Sequence, residues 1–98
     1  MLKVGGWKVY PYEIETVLAS HPGIQEVAVI GVKDSLREAV PRAYIVPNPE
    51  WNLNRQVISE YCQSRLERYK FPREIKIMEA LPRLPNGKID REVLQSYD

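Results

Sequence analysis

The chain has 98 residues, a formal net charge of +1, and 44% hydrophobic, 28% charged and 9% aromatic residues. That is one globular domain with one modest core, burying about two-thirds of its unfolded surface. Near-neutrality argues against bulk attraction to nucleic acid or an anionic membrane, so any anion site must be local.

Lys3-Val4-Gly5-Gly6-Trp7-Lys8-Val9-Tyr10-Pro11 sets a glycine pair between short extended segments, the pattern of a hairpin. Pro11 suits a first helical turn, and Glu13 and Glu15 suit the positive end of a helix. Ile14, Val17 and Leu18 form its apolar stripe. His21-Pro22-Gly23 stops the helix, with the imidazole expected to cap its C-terminal end. Ile24 to Val32 is β-branched and nearly unbroken, a strand buried on both faces. Asp34-Ser35 opens a polar loop carrying Arg37 and Glu38, and Arg42 to Val46, after Pro41, is a second strand. Pro47-Asn48-Pro49 ends it.

Asn54 is expected to cap a helix running to about Tyr69, with Val57, Ile58, Tyr61, Cys62, the aliphatic stem of Arg65, and Leu66 on its buried stripe. Phe71-Pro72 breaks it. Glu74 to Met78 alternates polar and apolar, a half-exposed strand. A loop with two prolines and a glycine follows. Asp90 then caps a last short helix with Val93, Leu94 and Tyr97 on its inner face. The sum is an α+β domain: a small three-stranded sheet packed with about three helices, plus an N-terminal β-hairpin.

Cysteine and histidine usage is sparse. The lone Cys62 makes no internal disulfide and, with the lone His21, no zinc cluster, so no metal site is expected. Cys62 reads as inert filler on an apolar helix face. Tyr10, Tyr12, Tyr61 and Tyr69 read as core and rim, because no basic stripe accompanies them. No signal core follows Met1, and the aliphatic run Val27 to Val32 is too short to span a bilayer. A cytoplasmic location is expected.

Leu84-Pro85-Asn86-Gly87-Lys88 carries the chemistry. Pro82 and Pro85 restrict the backbone, and Asn86-Gly87 is a tight-turn pair. Two readings of Lys88 stand side by side: a solvated turn lysine, or a cation on a stiff loop positioned to stabilise charge developing in a transition state. A Walker phosphate loop is ruled out, since Pro82 stands at its first glycine and Ile89 at its magnesium-binding Ser or Thr. The Gly5-Gly6-Trp7-Lys8 stretch likewise closes a hairpin or leaves bare backbone for a ligand chain.

Three stretches taken together, KVGGWKVYPYEIE, HPGIQEVAVIGVKD and PRLPNGKIDR, resemble the C-terminal domain of the acyl-adenylate-forming superfamily, and the resemblance covers essentially the whole chain. It is closest to acyl- and aryl-CoA synthetases; peptide-synthetase domains differ around Tyr10-Pro11. The resemblance implies an ATP-dependent enzyme that makes an acyl-AMP and then a thioester. Lys88 would be the catalytic lysine of adenylation, supported by Pro82, Pro85, Asn86 and Gly87. Gly5, Gly6, Trp7 and Lys8 would form the thiol-channel face after the small domain rotates. ATP, with magnesium, would be held mainly by a large N-terminal domain absent from this chain, encoded in the same or a separate polypeptide. CoA or a carrier-protein pantetheine would accept the acyl group from a carboxylic acid substrate. Pro82 to Lys88 also fits the pattern in which some family members have this lysine acylated. The isolated domain is not expected to turn over ATP. The rival expectation is a stand-alone interaction module that binds a carrier protein or a separate N-terminal half, without catalysis of its own; a third is a degenerate fragment.

Overall fold

The computed structural model describes residues 1–4, 6–33 and 39–97; Gly5 and the polar loop at 34–38 lie outside the described residues. The order is β1 (Leu2–Val4), β2 (Trp7–Val9), α1 (Pro11–Ala19), β3 (Ile24–Lys33), β4 (Ala39–Pro47), α2 (Arg55–Gln63), a single 3₁₀ turn (Arg68–Lys70), β5 (Glu74–Ile77) and α3 (Arg91–Gln95). β1 and β2 form the expected antiparallel hairpin, with Val4 opposite Trp7. β3, β4 and β5 form a three-stranded sheet in that order, so β4 is central. The α+β expectation holds.

Residue alternation in the sheet divides the core. Val29, Ala43 and Ile45 point to one face, where they meet Val4 and Val9 of the hairpin, Ile14 and Leu18 of α1, and Ile58 and Cys62 of α2. Ala28, Ile30, Val40, Tyr44 and Val46 point to the other face and meet Leu81 and Leu94, with Ile89 packed alongside. The hairpin and the Lys88 loop are therefore built on opposite faces of one sheet.

Several elements differ from the sequence-based expectation. The second strand extends back to Ala39 and includes Pro41, opposite Gly31. Proline in a central strand ordinarily deletes a ladder bond. Here the Pro41 carbonyl accepts from Arg73 N (2.8 Å), on the side where β5 begins only opposite Arg42, so the missing N–H faces no strand partner. β5 runs parallel to β4, a pairing that its own four residues do not signal.

α2 ends at Gln63 and not near Tyr69. Leu66 turns back to bond the Cys62 carbonyl (2.8 Å), and the 3₁₀ turn then stacks Tyr69 on Trp7 and brings Lys70 to Glu13. Tertiary contacts outweigh helix propensity there. Arg65 lies over the Tyr61 ring, 3.8 Å from its centroid, and is exposed. In α3 only Leu94 of the expected inner face is fully buried; Val93 and Tyr97 are exposed, although Tyr97 keeps an edge contact with Tyr44. His21 does not cap α1 with its ring. Its Nδ1 accepts from Gly23 N (2.8 Å), and its ring lies between Trp51 and Tyr61, while backbone N–H groups of Ser20 and His21 close the helix.

Candidate functional site

Asn86 and Gly87 build the turn that carries Lys88. The Leu84 carbonyl accepts from Gly87 N (2.9 Å), the Lys88 carbonyl accepts from Leu84 N (2.7 Å), and Gly87 has φ +88°. A non-glycine residue would be strained at that φ. Asn86 Oδ1 accepts from Lys88 N (3.0 Å), an Asx-type bond that explains the asparagine. Below the tip, Arg83 bridges Ile89 in antiparallel fashion, and Asp90 N donates to the Pro82 carbonyl (2.9 Å). Asp90 Oδ1 accepts from Val93 N (3.2 Å), the expected cap of α3. The backbone on both sides of Lys88 is thus held, and its side chain is exposed.

Arg83 and Arg91 flank Lys88 in sequence, and each meets a carboxylate on the body of the domain. Arg83 pairs with Glu26 of β3. Arg91 donates to Glu15 Oε1 of α1 (2.7 Å) and to the Val29 carbonyl (3.1 Å), while that same Glu15 oxygen accepts from Val29 N. Gln95 donates to the Gly31 carbonyl (2.8 Å). These bonds occupy the outer edge of β3 and tie α3 to it. Tyr44 OH, at the sheet centre, donates to the Leu94 carbonyl (2.8 Å) and holds the C-terminal end of α3. Lys88 Nζ, by contrast, has no ion pair or hydrogen bond among the described residues. Of the three cations around this turn it alone is left uncompensated among the described residues.

The hairpin presents a different surface. Trp7 is 58% exposed, yet its ring stacks on Tyr69 with centroids 4.8 Å apart and planes 18° off parallel. Tyr69 also bonds Glu67, whose carboxyl that bond, together with the Lys70 ammonium, holds below the usual carboxylate range. Lys70 in turn is held above its ordinary value, first by Glu13 and then by Glu67. Gly6, at φ +86°, turns the hairpin, and Lys8 is exposed beside Trp7. Gly6, Trp7 and Lys8 form one group, while Pro82, Pro85, Asn86, Gly87 and Lys88 form another across the sheet; Gly5 lies outside the described residues.

Composition and periodicity do not point to Arg83, Arg91, Glu15 or Glu26, because these pairs join residues distant in sequence. Cys62 is fully buried, and burial pushes its thiol up to about 11, consistent with an inert side chain. Among the described residues no three His, Cys, Asp or Glu side chains gather as a metal-ligating group, and no helix is long and apolar enough to cross a membrane.

A small α+β domain that displays one bare lysine on a pinned turn is the class this geometry defines. Residues 13–88 match the AMP-binding enzyme C-terminal domain family, and the chain belongs to it. It is 44% identical over 95 residues to the long-chain-fatty-acid–CoA ligase FadD13 of Mycobacterium tuberculosis, covering 97% of this chain and 19% of that one. It is 36% identical over 95 residues to the crotonobetaine/carnitine–CoA ligase of Escherichia coli, covering 97% of this chain and 18% of that one. The solved anthranilate CoA ligase AuaEII, in complex with anthranoyl-AMP, superposes with a TM-score of 0.84 at 41% identity, over 98% of this chain and 19% of that chain. The chain spans about a fifth of the length of these relatives.

Proposed function

We propose that this chain is the small, mobile domain of an ATP-dependent, AMP-forming acyl-CoA ligase, and that Lys88 is its adenylation lysine. The uncompensated charge of Lys88 on a pinned turn carries the reading. When a carboxylate attacks the α-phosphate of ATP, two anions must approach and negative charge grows on the phosphate oxygens. One ammonium held between them lowers that barrier, most effectively in a site from which water is excluded. A large N-terminal adenylation domain, in the same or a separate polypeptide, would hold ATP with its magnesium and the carboxylic acid.

The second half-reaction passes the acyl group to the thiol of CoA or of a carrier-protein pantetheine. Gly5, Gly6, Trp7 and Lys8 are assigned to that channel. Bare backbone at the turn admits a thin pantetheine arm, and the Trp7 ring, braced by Tyr69, gives it a rigid wall. Because this face and the Lys88 face lie on opposite sides of the sheet, the domain would turn between half-reactions.

The test is to mix the chain with a relative's large domain stripped of its own small domain. Acid-dependent ATP–pyrophosphate exchange, absent from either part alone, should appear on mixing or fusion. Binding without exchange would replace this reading with the interaction module, for which the exposed Trp7 is the one favouring observation.

A further inference from the structure

Arg83 is the residue that the adenylation reading leaves without a role, and its guanidinium makes two directed contacts. One nitrogen donates to the Gly87 carbonyl (2.8 Å), the peptide oxygen immediately before Lys88. The other forms an ion pair with Glu26 Oε1, a carboxylate oxygen buried from solvent that accepts no other hydrogen bond among the described residues. Glu26 belongs to β3, which packs on both core faces and so anchors the loop to the body of the domain. The fork therefore links the peptide plane at Lys88 directly to the sheet.

We infer that Arg83 is a positioning residue for Lys88: it fixes the Gly87–Lys88 peptide to β3 so that the lysine leaves the loop in one direction. The inference rests on the adenylation reading of Lys88. A guanidinium suits the task because its planar fork serves two acceptors at once, which a lysine at this position does not do with the same geometry. The pairing also compensates Arg83, leaving Lys88 as the unpaired cation of the turn among the described residues. The other two bonds of the Lys88 backbone, its N–H donating to Asn86 Oδ1 and its carbonyl accepting from Leu84 N, lie within the turn and do not tie it to the body.

Arg83→Met, Arg83→Lys and the double variant Arg83→Met/Glu26→Leu test this. In the chain alone, amide exchange at Leu84 and Gly87 should speed up by about tenfold in Arg83→Met. With the large domain supplied, kcat for ATP–pyrophosphate exchange should fall by about tenfold to a hundredfold with KM for ATP unchanged. Thioester formation from supplied acyl-AMP should be retained. Arg83→Lys should recover part of the loss. The double variant removes the carboxylate left without its partner, so it should restore thermal stability while leaving exchange activity low, since the Gly87 carbonyl is still unheld. The inference is overturned if Arg83→Met leaves adenylation unchanged, if both half-reactions fall together with stability, or if the double variant restores adenylation. Lys88→Ala, run alongside, separates the two levels: loss of adenylation there with none in Arg83→Met rejects only the role of Arg83, and no loss in either rejects the reading of Lys88.

Discussion

The hairpin and the lysine loop make the same kind of object, a short exposed turn presenting one long side chain, by opposite physical means. At the hairpin, Val4 and Val9 are buried and Trp7 is propped by the Tyr69 ring, so the rigidity is apolar and aromatic. At the lysine loop, proline, an Asx bond, a left-handed glycine and two arginine–carboxylate pairs supply the rigidity, and little of the tip is buried. An aromatic wall suits a neutral, flexible ligand arm. A loop whose neighbouring cations are already paired suits the delivery of a single charge to an anion. Placing these two surfaces on opposite faces of one sheet ties each to its own part of the core.

That independence can be broken at measurable points. Leu94→Ala opens a cavity under the loop face and should lower stability by about 3 kcal/mol; by denaturant unfolding the loss should be global, while Trp7 fluorescence in the native state stays unchanged. If the Trp7 signal shifts in the folded protein, the two faces are coupled.

Gly87→Ala should have a smaller effect, about 1 kcal/mol, from placing a Cβ at φ +88°, where no neighbouring atom obstructs it. The same substitution should reduce adenylation and spare thioester formation in the assembled enzyme. An unchanged thermal midpoint would show that the turn relaxes at no cost.

Acidification gives the weakest effect and should act on both faces through different groups. Glu74 is held below the usual carboxylate range chiefly by the Arg42 hydrogen bond, and Glu67 chiefly by Tyr69 and then Lys70. Each is lower folded than unfolded. The stability they contribute is therefore present above the unfolded value, about 4.3, and is lost as pH falls through the folded one. Lys70 has the opposite sign: its contribution is complete below the unfolded lysine value, about 10.4, and is lost only as pH rises past the folded value. Glu67→Gln should flatten the acid-side decline and loosen the Trp7–Tyr69 stack. Glu74→Gln should flatten it without touching Trp7. Thermal midpoints and Trp fluorescence between about pH 7 and pH 3 measure both.

Much of this arrangement was legible in local sequence. Gly6, Pro11, the caps at Asn54 and Asp90, and the Asn86-Gly87 turn act within a few residues, and the structure places each as its chemistry requires. The three stretches that carried the family resemblance supplied Lys88. Long-range partners were not legible. The end of α2 at Gln63 depends on Tyr69 meeting Trp7 and Lys70 meeting Glu13, neither of which periodicity encodes. His21 suited a helix cap by position, but Trp51 and Tyr61 enclose it. Val93 matched the helical stripe, yet five residues of helix bury only one, Leu94. The Arg83–Glu26 and Arg91–Glu15 pairs appear only once β3, α1 and the loop are folded together.

The most direct measurement compares Lys88→Ala and Trp7→Ala in both half-reactions of the ligase assembled from this chain and a large adenylation domain. Lys88→Ala should lower acid-dependent ATP–pyrophosphate exchange by about a hundredfold to a thousandfold and leave thioester formation from supplied acyl-AMP intact; Trp7→Ala should do the reverse. An equal fall of both half-reactions in Lys88→Ala would contradict the assignment of one chemical step to each face.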